Sequence, residues 1–152
     1  LMIKTNVILH NKKWQKYIKN PSIYIKNKFN KLSKVRAFNI NKEFSILLTD
    51  NKNMKYLNNK FRKKNKATDV LSFPYYPLDK TKNKLKKSKD IYLGDIALNF
   101  YKIDKEKKNF EKEFNKLWIH GFLHLLGYKH YRNKDFDQMK KLEDKIFRQI
   151  QC

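Results

Sequence analysis

Three of the four histidines in the chain fall within one segment of eleven residues, His120-Gly121-Phe122-Leu123-His124-Leu125-Leu126-Gly127-Tyr128-Lys129-His130. His120 and His124 are about one turn apart, so on a helix both imidazoles reach a single ion from the same face. A third ligand cannot come from that helix with good geometry. Gly127 solves this by allowing a left-handed conformation, which ends the helix and turns the chain back so that His130 reaches the ion. Three imidazoles with no thiolate describe an open site, where a water or substrate completes the coordination, rather than a closed structural one. The plainer alternative is a set of helix-face histidines beside an apolar core, and the spacing around a helix-ending glycine argues against it.

The spacing H-x-x-x-H-x-x-G-x-x-H is that of the zinc-binding stretch of metzincin peptidases, with one difference. Those enzymes carry Glu just after the first His, and here that position is Gly121. The general base that activates water on a peptide carbonyl is therefore missing. Asp135 lies near enough in sequence to be a candidate fourth ligand, whereas His10, at the end of an expected strand, reads as an ordinary histidine.

The elements that must position this segment follow from periodicity. Ile3, Thr5, Val7 and Leu9 alternate with more polar neighbours and predict an opening strand, and Phe44, Ile46 and Leu48 predict a second. Between them, Trp14, Tyr17 and Ile18 and then Ile25, Phe29 and Leu32 predict two helical pieces meeting at Asn20-Pro21. Asp50 caps a helix marked by Met54, Leu57 and Phe61. Strand-like segments from Asp69 to Tyr75 and from Ile91 to Leu98 flank a lysine-dominated stretch, Asp79 to Asp90, expected to be a mobile loop. Phe110, Phe114, Leu117, Trp118 and Leu125 mark one late helix, and Phe136, Met139, Leu142, Ile146 and Ile150 another. The expected class is α+β, with a mixed, roughly four-stranded sheet covered by helices.

At 152 residues the chain fits one domain, residues 1–152, able to bury roughly two-thirds of its unfolded surface. The only cysteine is Cys152, so an internal disulfide and a zinc-thiolate site are both excluded, and a reducing, cytoplasmic setting is expected. Lys4, Asn6, His10 and Asn11 interrupt any signal-like apolar run, and no segment approaches the roughly 20 apolar residues of a membrane span. The formal net charge is +23, from 37 Lys and Arg against 14 Asp and Glu. Such a balance suits a polyanionic partner, nucleic acid above all. Lys, Asn, Ile, Phe and Tyr are also the residues of A/T-rich codons, so the charge permits RNA binding more than it proves it.

A second segment, Leu57-Asn58-Asn59-Lys60-Phe61-Arg62-Lys63-Lys64-Asn65-Lys66-Ala67-Thr68-Asp69-Val70-Leu71-Ser72-Phe73-Pro74, carries a helix end into a strand. Together with Leu93-Gly94-Asp95-Ile96 and the histidine segment, it resembles the YbeY family of metal-dependent endoribonucleases. The family patterns run approximately LN-x-x-[YF]-R-x-K-x-x-x-TDVLSFP, LGDI and HG-x-LHL-x-GY-x-H, and three motifs in the right order are far more specific than one. The resemblance implies a zincin-like fold, one zinc ion on His120, His124 and His130, and cleavage of single-stranded ribosomal RNA during rRNA processing and ribosome maturation. It also implies that Arg62 is the family's functional arginine, facing the metal across a basic cleft. A planar, permanently charged guanidinium grips phosphate through two hydrogen bonds. Catalysis then falls to Arg62 and His120.

Asp69, Ser72, Gly94 and Asp95 also match. Asp69 and Ser72 are candidates for lining the cleft, or for local capping, while Gly94 and Asp95 read as a turn or bulge at a strand start. The chain departs from the pattern at Lys63, where glycine is common, at Asn65 and Ala67, and at Lys129, where Asp usually precedes the last histidine. If that Asp orients a ligand, its replacement alters the metal site. Two other readings stand beside the nuclease: a ribosome assembly factor with a structural metal, and a metallopeptidase, which Gly121 opposes.

Overall fold

Alternation decides the sheet. In strand β2 (Lys42–Thr49), Phe44, Ile46 and Leu48 are fully buried while the residues between them are partly open, as expected for a strand with one face on the main core. The computed structural model describes residues 3–32, 42–76, 91–104 and 109–151, and the lysine-rich stretch from Asp79 to Asp90 lies outside them. Strand β1 (Ile3–Leu9) leads to a short 3-10 turn at Lys12–Lys16 and then to helix α1 (Pro21–Lys31). The two expected helical pieces do not meet: the first is only the 3-10 turn, which ends at Lys16, and α1 alone starts at the Asn20-Pro21 junction, where Asn20 caps it by accepting from the Ile23 amide and Pro21 stands where no amide is needed. Helix α2 (Asn51–Arg62) opens on Asp50, whose carboxylate accepts from the Asn53 amide at 3.0 Å. Strands β3 (Val70–Pro74) and β4 (Ile91–Asn99) follow, then a short helix α3 (Phe100–Asp104), then α4 (Phe110–Leu125) and α5 (Asn133–Gln151).

The four strands form one sheet in the order β1-β2-β4-β3. β1, β2 and β4 run parallel, and β3 lies antiparallel on the edge beside β4. The register between β2 and β4 shifts between Glu43 and Ser45, opposite Gly94. Gly94 has φ of 134°, and a side chain there would strike the carbonyl of Phe73. The expected bulge is thus real, but it sits inside β4 and not at a strand start, because pairing with β2 continues on both sides of it.

The main core lies between one sheet face and helices α1, α4 and α5, centred on Trp14, Phe29, Phe44, Ile96, Phe114, Trp118 and Phe122. A smaller cluster of Met54, Leu71 and Ala97 seats α2 on the opposite face. The mixed α+β class is as expected from the sequence; α3 is the helix that periodicity did not reveal. Among the described residues, no helix is long and apolar enough to cross a membrane.

Candidate metal centre

Helix α4 begins with Asn109 accepting from the Lys112 amide, and Glu111 and Glu113 in its first turn complement the helix dipole. Its end is a two-bond cap. The Gly127 amide donates to the His124 carbonyl at 3.0 Å and the Tyr128 amide to the Leu123 carbonyl at 3.1 Å, the Schellman arrangement. Gly127 has φ of 98°, the left-handed exit expected from the sequence. The chain turns back and sets the His130 ring 4.8 Å from His124 and 5.6 Å from His120, centroid to centroid. One nitrogen from each of the three rings lies within 4.8 Å of the others.

The outer nitrogens decide which inner ones are available. His124 Nδ1 lies 2.9 Å from the Tyr128 carbonyl, which only accepts, so that nitrogen carries the hydrogen and Nε2 keeps its lone pair. His120 Nδ1 lies 2.8 Å from Glu143 Oε1, and a carboxylate likewise draws the hydrogen outward. The two Nε2 atoms then face each other at 3.1 Å. Two lone pairs at that separation repel unless a proton or a cation lies between them. Two nitrogens on a tetrahedral zinc at ~2.0–2.1 Å would stand roughly 3.3 Å apart. The donor set therefore fits a divalent ion. Burial first, and then the neighbouring His120, lower the His124 pKa to about 4, so this imidazole is neutral at physiological pH, as a ligand must be.

The three histidines open onto a cavity of about 460 Å³ whose other walls include Arg62, Lys64, Lys66, Ser72 and Tyr131. Arg62, at the end of α2, reaches the edge strand. Its Nη2 donates to the Ser72 carbonyl at 2.7 Å, its Nη1 approaches the Phe61 carbonyl at 3.5 Å, and its guanidinium lies 5.1 Å from the Phe73 ring centroid. Ser72 Oγ in turn donates to the Gly121 carbonyl at 3.2 Å, which ties β3 to α4 beneath the histidines.

A family model described as Endoribonuclease YbeY matches residues 6–151 of this chain. The chain belongs to the YbeY endoribonuclease family. It is 41% identical to a protein called Endoribonuclease YbeY from Pelagibacter ubique, over 98% of this chain and 97% of that one. A namesake from Ehrlichia canis is 35% identical over 95% and 90% of the two chains. In fold it is similar to the solution structure of TM1509 from Thermotoga maritima, with a TM-score of 0.58 and 24% identity over 98% of this chain and 89% of that one. As a member of the family the protein is a hydrolase that cuts RNA.

The remaining residues singled out in the sequence divide between cavity and scaffold. Ser72 lines the cavity, while Asp69 lines a neighbouring one with Lys102 and Glu113 and caps the start of β3 by accepting from the Val70 amide at 2.7 Å. Asp95 takes the Tyr92 hydroxyl and is exposed. It lies one residue from Ile96, hence on the opposite sheet face from the site. Asp135 does not join the histidines. Its Oδ2 accepts from Arg132 Nε at 3.1 Å, and that bond holds its carboxyl below the usual range. His10 is occupied with Thr49 Oγ1 at 2.7 Å.

Glu143 went unnoticed in the sequence, yet it supplies a carboxylate to the His120 ring. The signal was present: in α5 it sits among Met139, Leu142, Ile146 and Ile150, a lone acid within an apolar stripe, with a side chain only 22% exposed. Asn58 was quoted only as part of a pattern. It is buried, and its Nδ2 donates to the Lys66 carbonyl at 2.9 Å, pinning the loop that carries Lys64 and Lys66 to the cavity.

Proposed function

We propose that this protein is a zinc-dependent endoribonuclease that cleaves single-stranded ribosomal RNA during ribosome maturation in the cytoplasm, working as a single unit over residues 1–152. The observation that carries the reading is the pair of outward-anchored imidazoles, His120 on Glu143 and His124 on the Tyr128 carbonyl, with inner nitrogens 3.1 Å apart. His120, His124 and His130 would hold the ion. When bound, it supplies Lewis acidity to a phosphoryl oxygen or to an attacking water.

The protein's own groups do the rest. Arg62 is anchored to β3 through the Ser72 carbonyl and leans back on the carbonyl of its own helix neighbour Phe61. A guanidinium has five N–H donors, so it retains others for two oxygens of one phosphate and for charge that builds there in the transition state. Lys64 and Lys66 add positive potential along the same wall, which draws the RNA backbone in. His120 keeps its orientation through Glu143.

Peptide hydrolysis is disfavoured by packing as well as by chemistry. A Cβ on Gly121 would lie 2.9 Å from Ile96 Cγ2 and 3.2 Å from Ser72 Oγ, so that position points into the sheet, where a longer acid has no room.

The test combines metal analysis with cleavage of single-stranded RNA by the parent and two variants. About one zinc per chain is expected. Arg62→Ala should keep the metal and lose cleavage by about a hundredfold or more, and His124→Ala should lose both. Cleavage at the parent rate by His124→Ala would end the metal-dependent reading, and undiminished cleavage by Arg62→Ala would remove the arginine from the mechanism.

A further inference from the structure

Tyr131 directly follows the third histidine, lines the histidine cavity and is 78% exposed, well above the other exposed aromatic residues among those described, such as Tyr75 at 66% and Tyr56 at 57%. Leaving an aromatic ring in water forgoes most of the burial it could gain, and nothing in the core calls for a ring at this place. Its backbone is nevertheless well placed. The cap at Gly127 and Tyr128 sets the return of the chain, and the Tyr131 ring stands 6.4 Å from His130, centroid to centroid, at 81°. Its neighbour Arg132 is also exposed, with 80% of its side chain open and its Nε bonded to Asp135. An open ring beside a cluster of imidazoles, lining one cavity with Arg62, Lys64 and Lys66, combines the two elements that single-stranded nucleic acid requires: cations for the backbone and a flat apolar face for a base.

We infer that Tyr131 is a stacking platform for one unpaired nucleobase next to the phosphate held at the histidines. A base inside a duplex is already covered on both faces by its neighbours, whereas an unpaired base can leave the strand and lie on the ring. Tyr131 thereby biases the site toward single strands by positioning, with no proton transfer of its own. The inference rests on the nuclease reading above and adds to it the group that recognises the unpaired base.

The chain offers a clean optical test, because both natural tryptophans, Trp14 and Trp118, are 0% exposed. In Tyr131→Trp the new indole should dominate any ligand-dependent fluorescence change. A 2′-O-methyl oligoribonucleotide, which resists cleavage, should quench it. The same strand annealed to its complement should quench it far less, and so should an abasic analogue. Tyr131→Ala should bind the single strand about tenfold more weakly, within the range expected for one lost base stack, while Tyr131→Phe should bind like the parent, since the face matters and the hydroxyl does not. A silent indole, equal quenching by single and double strands, or parent-like binding by Tyr131→Ala would each overturn the inference. These outcomes separate from the fate of the nuclease reading. A parent that cleaves RNA while the indole stays silent leaves the nuclease and removes the platform. Quenching of the Tyr131→Trp indole confined to single strands, alongside a parent that holds no metal and cleaves nothing, keeps the platform and removes the nuclease.

Discussion

Two helix ends carry side chains to the same cavity, and they leave their helices at different conformational cost. Helix α4 exits through Gly127 at φ of 98°, and α2 exits through Lys63 at φ of 56° and ψ of 33°. Both residues are left-handed, and both ends close on main-chain carbonyls: Gly127 on His124, Lys63 on Asn59 at 3.1 Å. Glycine adopts that region freely. A lysine does so at a cost of about 1–2 kcal/mol. The metal side is thus built without backbone strain, while the arginine side carries some, at the position where glycine is the residue expected from the family pattern. The difference shows that the left-handed turn is what the site needs after Arg62, and that a side chain is tolerated there because it points to solvent.

The comparison can be broken most forcefully at the glycine. Gly127→Ala should destabilise the fold by about 1–3 kcal/mol, the usual cost of strained backbone, and should also weaken metal binding, because His130 hangs from that turn. Urea unfolding and competition with a chromophoric chelator report the two effects. An alanine variant that matches the parent in both would make the two helix ends equivalent.

Glu143→Gln probes the same end from the outside. It removes the carboxylate from His120 Nδ1 and should lower metal affinity by about 10–100-fold, with little change in the urea midpoint of the metal-free protein. Unaltered affinity would show that His120 needs no charged partner.

Acid sharpens the contrast further, because it acts on the imidazoles. In the unfolded chain His124 titrates near its ordinary 6.5, and in the fold near 4, chiefly because it is buried. As pH falls the unfolded chain takes up the proton first. Stability of the metal-free protein should therefore decline between about 6.5 and 4 and be independent of this group above 6.5. Urea midpoints of EDTA-treated protein against pH measure this, and His124→Gln should flatten the slope.

The smallest expected effect lies at the arginine end. Lys63→Gly relieves about 1–2 kcal/mol of strain but gives the unfolded chain about 0.5–1 kcal/mol of extra freedom, for a net gain near 0.5 kcal/mol in thermal unfolding. A loss would mean that Lys63 is held by something other than its backbone.

What the sequence by itself determined is whatever depends on a few neighbouring residues. The caps at Asn20 and Asp50, the alternation of Phe44, Ile46 and Leu48, the turn at Gly127 and the gathering of His120, His124 and His130 all arise from interactions spanning ten residues or fewer, where spacing translates directly into direction. Tertiary structure alone decided which strand lies beside which, that Arg62 anchors on the carbonyl of Ser72, that Asp135 turns to Arg132, and that Glu143 on α5 meets His120 on α4. The pairing of Glu143 with His120 joins residues 23 positions apart, and it exists only because the apolar stripe of α5 docks against α4 and brings the one acid in that stripe with it. The helix Phe100–Asp104 was hidden for a related reason: Phe100 and Ile103 are buried by a core assembled from distant segments, and five residues hold too short a pattern to declare themselves.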